Sequence, residues 1–153
     1  MTPNVYQILL GDPLPENGKL LEAALCQCPC FALAHRVAAI SELVSYLASS
    51  GNFVDKSRYP HPNLVLLDLN LSGRSCGLEV LKWIQVQTSR DYRVVVFAAA
   101  ADESECEQAY ALGADGFVPK PASADAMVEV LTRIEGWLRN SLVEEDPLEF
   151  CVA

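Results

Sequence analysis

Apolar residues recur along this chain in two rhythms. Short, mainly apolar runs alternate with stretches where apolar positions return every three or four residues. The runs are "VYQILL" (5–10), "FALAHRV" (31–37), "LVLLD" (64–68), "RVVVFA" (93–98) and "DGFVPK" (115–120), and each predicts a strand. Between the first two, Leu20, Leu21, Ala24 and Leu25 share a helical face. Ile40, Leu43, Val44 and Leu47 follow at i, i+3, i+4 and i+7, and Val80, Leu81 and Ile84 begin a third helix. "DESECEQAYALG" (102–113) opens on an Asp suited to an N-cap and reaches Gly113 at its end, the start and stop signals of a fourth. Met127, Leu131, Ile134 and Leu138 line a fifth. "SSGNFVDKSRYPHPN" (49–63), with its prolines and glycine, predicts a loop.

Strand and helix thus alternate five times. Continuous apolar strands, as opposed to half-polar ones, belong to a parallel sheet covered by helices on both faces, with right-handed crossovers. The expected fold is a doubly wound α/β domain over residues 1–140, followed by a tail, 141–153, of no evident purpose. No repeat or linker divides the chain. Its 153 residues suit one domain with a real core.

Charge narrows the function. Twenty acidic against eleven basic residues give a net charge of −9, and no basic run occurs, which argues against a nucleic-acid surface. No stretch approaches the roughly 20 apolar residues of a membrane span, and with no basic n-region or small-residue cleavage site in "MTPNVYQILLGDP" no secretion signal is expected. The expected location is cytoplasmic. Cys26, Cys28 and Cys30 form "CQCPC" with His35 nearby, but without the C-x-x-C pairs of a structural zinc site. They read as reduced thiols.

The chemistry sits where the strands end. In an open doubly wound sheet, ligands gather beyond the carboxyl ends of the strands. Asp12 follows strand one, Asp68 ends strand three, Ala98 ends strand four and Lys120 ends strand five. Asp68 is the anomaly of the set: a carboxylate closing a run built to be buried. A lone Asp in such a place is commonly a turn former or cap. Two acids and an ammonium in one crevice suit a hard cation such as Mg2+ and an aspartate that accepts a phosphoryl group.

The pieces "ILLGD", "NLVLLDLNLSG", "GLEVLKWI" and "ALGADGFVPKP", in that order, resemble the receiver domain of two-component response regulators over nearly the whole chain. "YPHPNLVLLDLNL" and "IEGWL" resemble the branch paired with bacterial phytochromes. The resemblance implies a five-stranded sheet of order 2-1-3-4-5 with five helices, the flavodoxin-like receiver fold. It further implies Asp68 as phospho-acceptor, with Asp12, Asp68 and the backbone carbonyl of Asn70 as Mg2+ ligands. Lys120 would pair with the acyl phosphate, and the Lys120–Pro121 peptide bond matches one often cis in receivers. Phe117 would be the semi-buried switch aromatic, or simply a core ring.

The implied partners are a sensor histidine kinase, a phytochrome in the narrower likeness, and a second copy meeting helix four, strand five and helix five. Output by protein contact is expected, with no DNA-binding domain expected after the receiver.

Departures from the family cluster at the site. Pro13 stands where a second acid is usual, which weakens the hold on Mg2+. Ala98 replaces a Thr or Ser whose hydroxyl would donate to the phosphoryl group; losing a bond to a charged acceptor costs about 1.5–3 kcal/mol. Ser72 replaces a proline in a loop that is one residue longer. Two outcomes stay open on these grounds: slower ordinary phosphorylation, or a degenerate receiver that signals without phosphate. An aspartate-nucleophile phosphohydrolase is disfavoured, since Asn70 stands where such enzymes carry a second Asp. A flavin protein would need a Ser/Thr-rich phosphate cradle that "GDPLPENG" lacks.

Overall fold

In the computed structural model of the chain, residues 5–71, 77–87, 90–98, 103–140 and 148–149 are described, Asn140 and the last two by backbone alone. The elements run β1 (Tyr6–Gly11), α1 (Pro15–Leu25), β2 (Phe31–Val37), α2 (Ile40–Leu47), a short 3-10 turn (Gly51–Phe53), β3 (Leu64–Asp68), α3 (Gly77–Gln85), β4 (Arg93–Ala98), α4 (Glu103–Ala111), β5 (Gly116–Pro119), α5 (Ala124–Asn140) and β6 (Leu148–Glu149). Five strands lie parallel in the expected order 2-1-3-4-5.

One element was not anticipated. Part of the segment read as a tail forms β6, which pairs in parallel with β5 through Gly116↔Leu148 and Phe117↔Glu149 and makes the sheet six-stranded. Two residues within an acidic segment carry no periodicity for a pattern reading to detect.

Alternation along the strands divides the core. Val65 and Leu67 of β3, and Val94 and Val96 of β4, turn to one face with Leu9, Leu43, Tyr46, Val80, Leu81, Ile84 and Ala109, from β1 and helices α2, α3 and α4. Leu64, Leu66, Val95 and Phe97 turn to the other face with Leu21, Ala24, Met127, Leu131, Ile134 and Leu138, from α1 and α5. Every strand residue from Leu64 to Leu67 is fully buried, because helices cover both faces. In α1 the buried positions are Gly18, Leu21 and Ala24. Leu20 and Leu25, expected on the same face, are half-buried at its margin.

Side chains fix the element ends. Ser123 Oγ accepts from Ala126 N at 3.1 Å and caps α5. Gly113 leaves α4 at φ 99°, the left-handed region that favours glycine. Asp115 accepts from Val94 N at 2.9 Å and pairs with Arg90 at 3.1 Å, tying the start of β5 to β4. The Asp expected to cap α4, and Ser72, lie outside the described residues.

Candidate functional site

Three elements deliver the charged residues to one rim. Asp12 directly follows β1, Asp68 is the last residue of β3, and Lys120 directly follows β5. Both carboxylates are withdrawn from solvent, Asp12 at 1% and Asp68 at 5% exposure. The Lys120 ammonium bridges them, 2.9 Å from Asp12 Oδ2 and 2.5 Å from Asp68 Oδ2. A buried carboxylate is costly without partners, and one cation between two acids offsets their repulsion. Burial alone would lower the Lys120 pKa, but hydrogen bonds to Asp68 and Asp12 outweigh it and hold the pKa above the ordinary lysine value. The ammonium is therefore a fixed charge at neutral pH.

Each acid is also gripped by its own loop. Asn70 N donates to Asp68 Oδ1 at 2.9 Å, and Leu71 N to the Asp68 carbonyl at 3.0 Å, so the chain turns sharply after β3. Helix α3 begins against that turn: Gly77 N donates to the Leu69 carbonyl at 2.9 Å. A Cβ on Gly77 would lie 2.8 Å from that oxygen and 2.9 Å from Leu69 Cα, so only glycine fits. On the β4 side, Lys120 N donates to the Ala98 carbonyl at 2.9 Å. Ala98 is buried and offers the pocket no hydroxyl.

Asp12 has partners that the sequence reading missed. Asn17 Nδ2 stands 3.0 Å from both of its oxygens, and Leu14 N donates to Oδ1 at 2.9 Å. Arg36 Nη1 donates to the Asp12 carbonyl at 2.8 Å. Arg36 was detectable, being a charge within an apolar strand run, the same anomaly that singled out Asp68. Asn17 was not, since an Asn near a helix start is ordinary.

Several expectations require correction. The Lys120–Pro121 peptide bond is trans, as are all those among the described residues. Phe117 is 0% exposed and packs in the core compartment shared with α2, α3 and α4, so of its two readings the core ring is the one that matches its burial, and not the semi-buried position. His35 is not near the cysteines. It stacks on Tyr46 at 5.8 Å with Phe53 and Tyr59 around it, on the opposite face of the sheet from Cys28. Cys26, Cys28 and Cys30 are free thiols, which agrees with the expectation for them. Burial is the main reason the Cys30 thiol is pushed up to about 11, with a hydrogen bond to Glu135 adding to it, so it is no nucleophile at neutral pH.

Oxygen donors and buried negative charge are the chemistry of a hard divalent cation. Among the described residues no cluster of three or more His, Cys, Asp or Glu forms a metal site. Asp12 and Asp68 therefore fit such an ion with one acid fewer than a strong site would use, and it would enter against Lys120.

A family model of the response regulator receiver domain matches residues 37–132. The chain belongs to that family. The receiver is 28% identical over 120 residues to the phosphate regulon transcriptional regulatory protein PhoB of Escherichia coli, covering 71% of this chain and 52% of PhoB. It thus spans about half the length of the curated relatives first matched.

Among solved structures, a response regulator in red light signaling of R. palustris aligns over 90% of the receiver and 96% of its own chain, with TM-score 0.78 and 19% identity, a likeness of fold. The bacteriophytochrome response regulator AtBRR is 29% identical with TM-score 0.64, over 85% of the receiver and 92% of AtBRR. The structural neighbours thus include phytochrome-associated response regulators. Receivers are signalling proteins that generally bind Mg2+ and interact with histidine kinases. No described helix is long and apolar enough to cross a membrane.

Proposed function

We propose that this receiver is a cytoplasmic module in a phosphorelay, with Asp68 as the phospho-acceptor. One observation carries the reading: the Asp68 carboxylate is buried at the end of β3, 2.5 Å from the Lys120 ammonium and sharing that ammonium with Asp12. A phosphoryl group on Asp68 Oδ2 would bring added negative charge to an ammonium already in place. Asp12, Asp68 and the Asn70 carbonyl would hold Mg2+, weakly because Pro13 supplies no second acid. The ion would neutralise charge on the incoming phosphoryl oxygens.

With Ala98 donating nothing, acceptance is slow. Phe117 lies inside the core, which suits a receiver whose aromatic has little further to turn. Turnover is not part of the reading, because Asn70 offers no acid two residues after Asp68. The phosphoryl donor is a sensor histidine kinase of the phytochrome class, supported by the 29% identity to a bacteriophytochrome response regulator. Output runs through protein contact, with a homodimer on α4, β5 and α5 as one form of it, for which β6 would first have to leave the edge of β5.

Incubation with acetyl phosphate and Mg2+, followed by intact mass, tests the assignment. A labile adduct of about 80 Da, one phosphoryl unit, is expected on the parent chain and not on Asp68→Asn. An adduct that persists in Asp68→Asn overturns the acceptor. No adduct in the parent chain establishes the phosphate-independent form. Repeated turnover of a phosphate ester establishes the hydrolase.

A further inference from the structure

Asp12 has no acceptor capacity to spare. A carboxylate offers about four lone-pair sites. Leu14 N and Asn17 Nδ2 approach Oδ1, and Asn17 Nδ2 and Lys120 Nζ approach Oδ2. The Asn17 contact has an unusual shape. Its amide nitrogen is 3.0 Å from each oxygen, so it lies on the bisector of the carboxylate, in the fork a chelated cation would occupy. The amide must face Asp12 through nitrogen, since its oxygen would meet two acceptors.

The scaffold holds it there. Asn17 lies in the first turn of α1, which Pro15 opens, and its own N–H donates to the Leu14 carbonyl at 3.1 Å. Arg36 fixes Asp12 from behind through the carbonyl, and Gly18 leaves room for the Arg36 stem, whose Cδ would lie 3.0 Å from any Cβ there.

We infer that Asn17 is the positioning residue that sets the cation affinity of this pocket. A neutral amide seated in the Asp12 fork holds the acid in place without metal and makes a divalent ion compete for that position. The chain thereby lacks an acid at position 13 and carries an uncharged stand-in for the ion at position 17. The inference rests on Asp12 and Asp68 being the cation's ligands. A purely structural role for Asn17, satisfying a buried acid, would change stability and leave metal affinity alone.

Titration of the full chain with Mn2+, with free ion read by electron paramagnetic resonance, separates the two roles. Asn17→Asp places a second acid at the fork and is expected to bind Mn2+ roughly tenfold more tightly than the parent chain, since affinity follows ligand charge count. Its Tm should also rise with Mn2+ more than the parent's does. Affinity equal to the parent's overturns the inference. Where Asn17→Asp folds only with the ion present, Asn17→Ala decides: it vacates the fork without adding charge. It should then bind Mn2+ more tightly than the parent, and unchanged affinity again overturns the inference. Asp12→Asn is the control for the reading beneath. It should abolish binding, and undiminished affinity there shows that Asp12 is no ligand at all.

Discussion

His35 lies among Tyr46, Phe53 and Tyr59, with ring centroids 5.3 to 5.8 Å away. Burial in that cluster holds its pKa below the ordinary 6.5, with Glu42 pulling up and Arg36 pushing down. The folded chain therefore keeps the imidazole neutral where the unfolded chain would protonate it. Stability is full above pH 6.5 and falls as pH drops from there towards the lowered folded value. The parent chain should lose more Tm than His35→Phe between about pH 7.5 and about pH 5.5, where His charge changes. Equal losses would remove His35 as the cause.

At this scale the site was half legible. Asp12, Asp68 and Lys120 stood out because each is charged at the end of an apolar run. Asn17 and the surroundings of His35 did not, because their roles depend on which elements fold against them. Lys120 reaches Asp68 across 52 positions, a pairing that only the sheet order reveals.

Among the elements, β3 and β4 fall where the apolar runs placed them, because burial on both faces leaves few polar positions to blur a boundary. Where one face is open the pattern is weaker, as in α1, whose last leucine is only half-buried. Gly77, the first residue of α3, sits hard against the backbone of Leu69 and Asp68. Gly77→Ala would drive a methyl to 2.8 Å from the Leu69 carbonyl oxygen, and backbone on both sides leaves little to yield. The substitution should destabilise by about 1–3 kcal/mol in urea denaturation. It should also slow phosphorylation, because the turn that holds Asp68 starts one residue before Leu69. A neutral result would mean that the turn and helix separate freely.

The whole molecule follows from one property of its middle strands. Their residues point alternately up and down, so the parallel sheet stands between two apolar compartments. Ile84 fills one from α3, and Ile134 fills the other from α5. Truncating each to Val should cost about 0.5–1.5 kcal/mol. The double variant should lose the sum to within about 0.5 kcal/mol, since neither side chain shares a partner with the other. A larger discrepancy would mean that the strands bend under load and pass a void from one side to the other. A rigid partition has a further result. The rim bearing Asp68 is anchored independently from above and below, so damage to either compartment leaves the second still holding β3 in register.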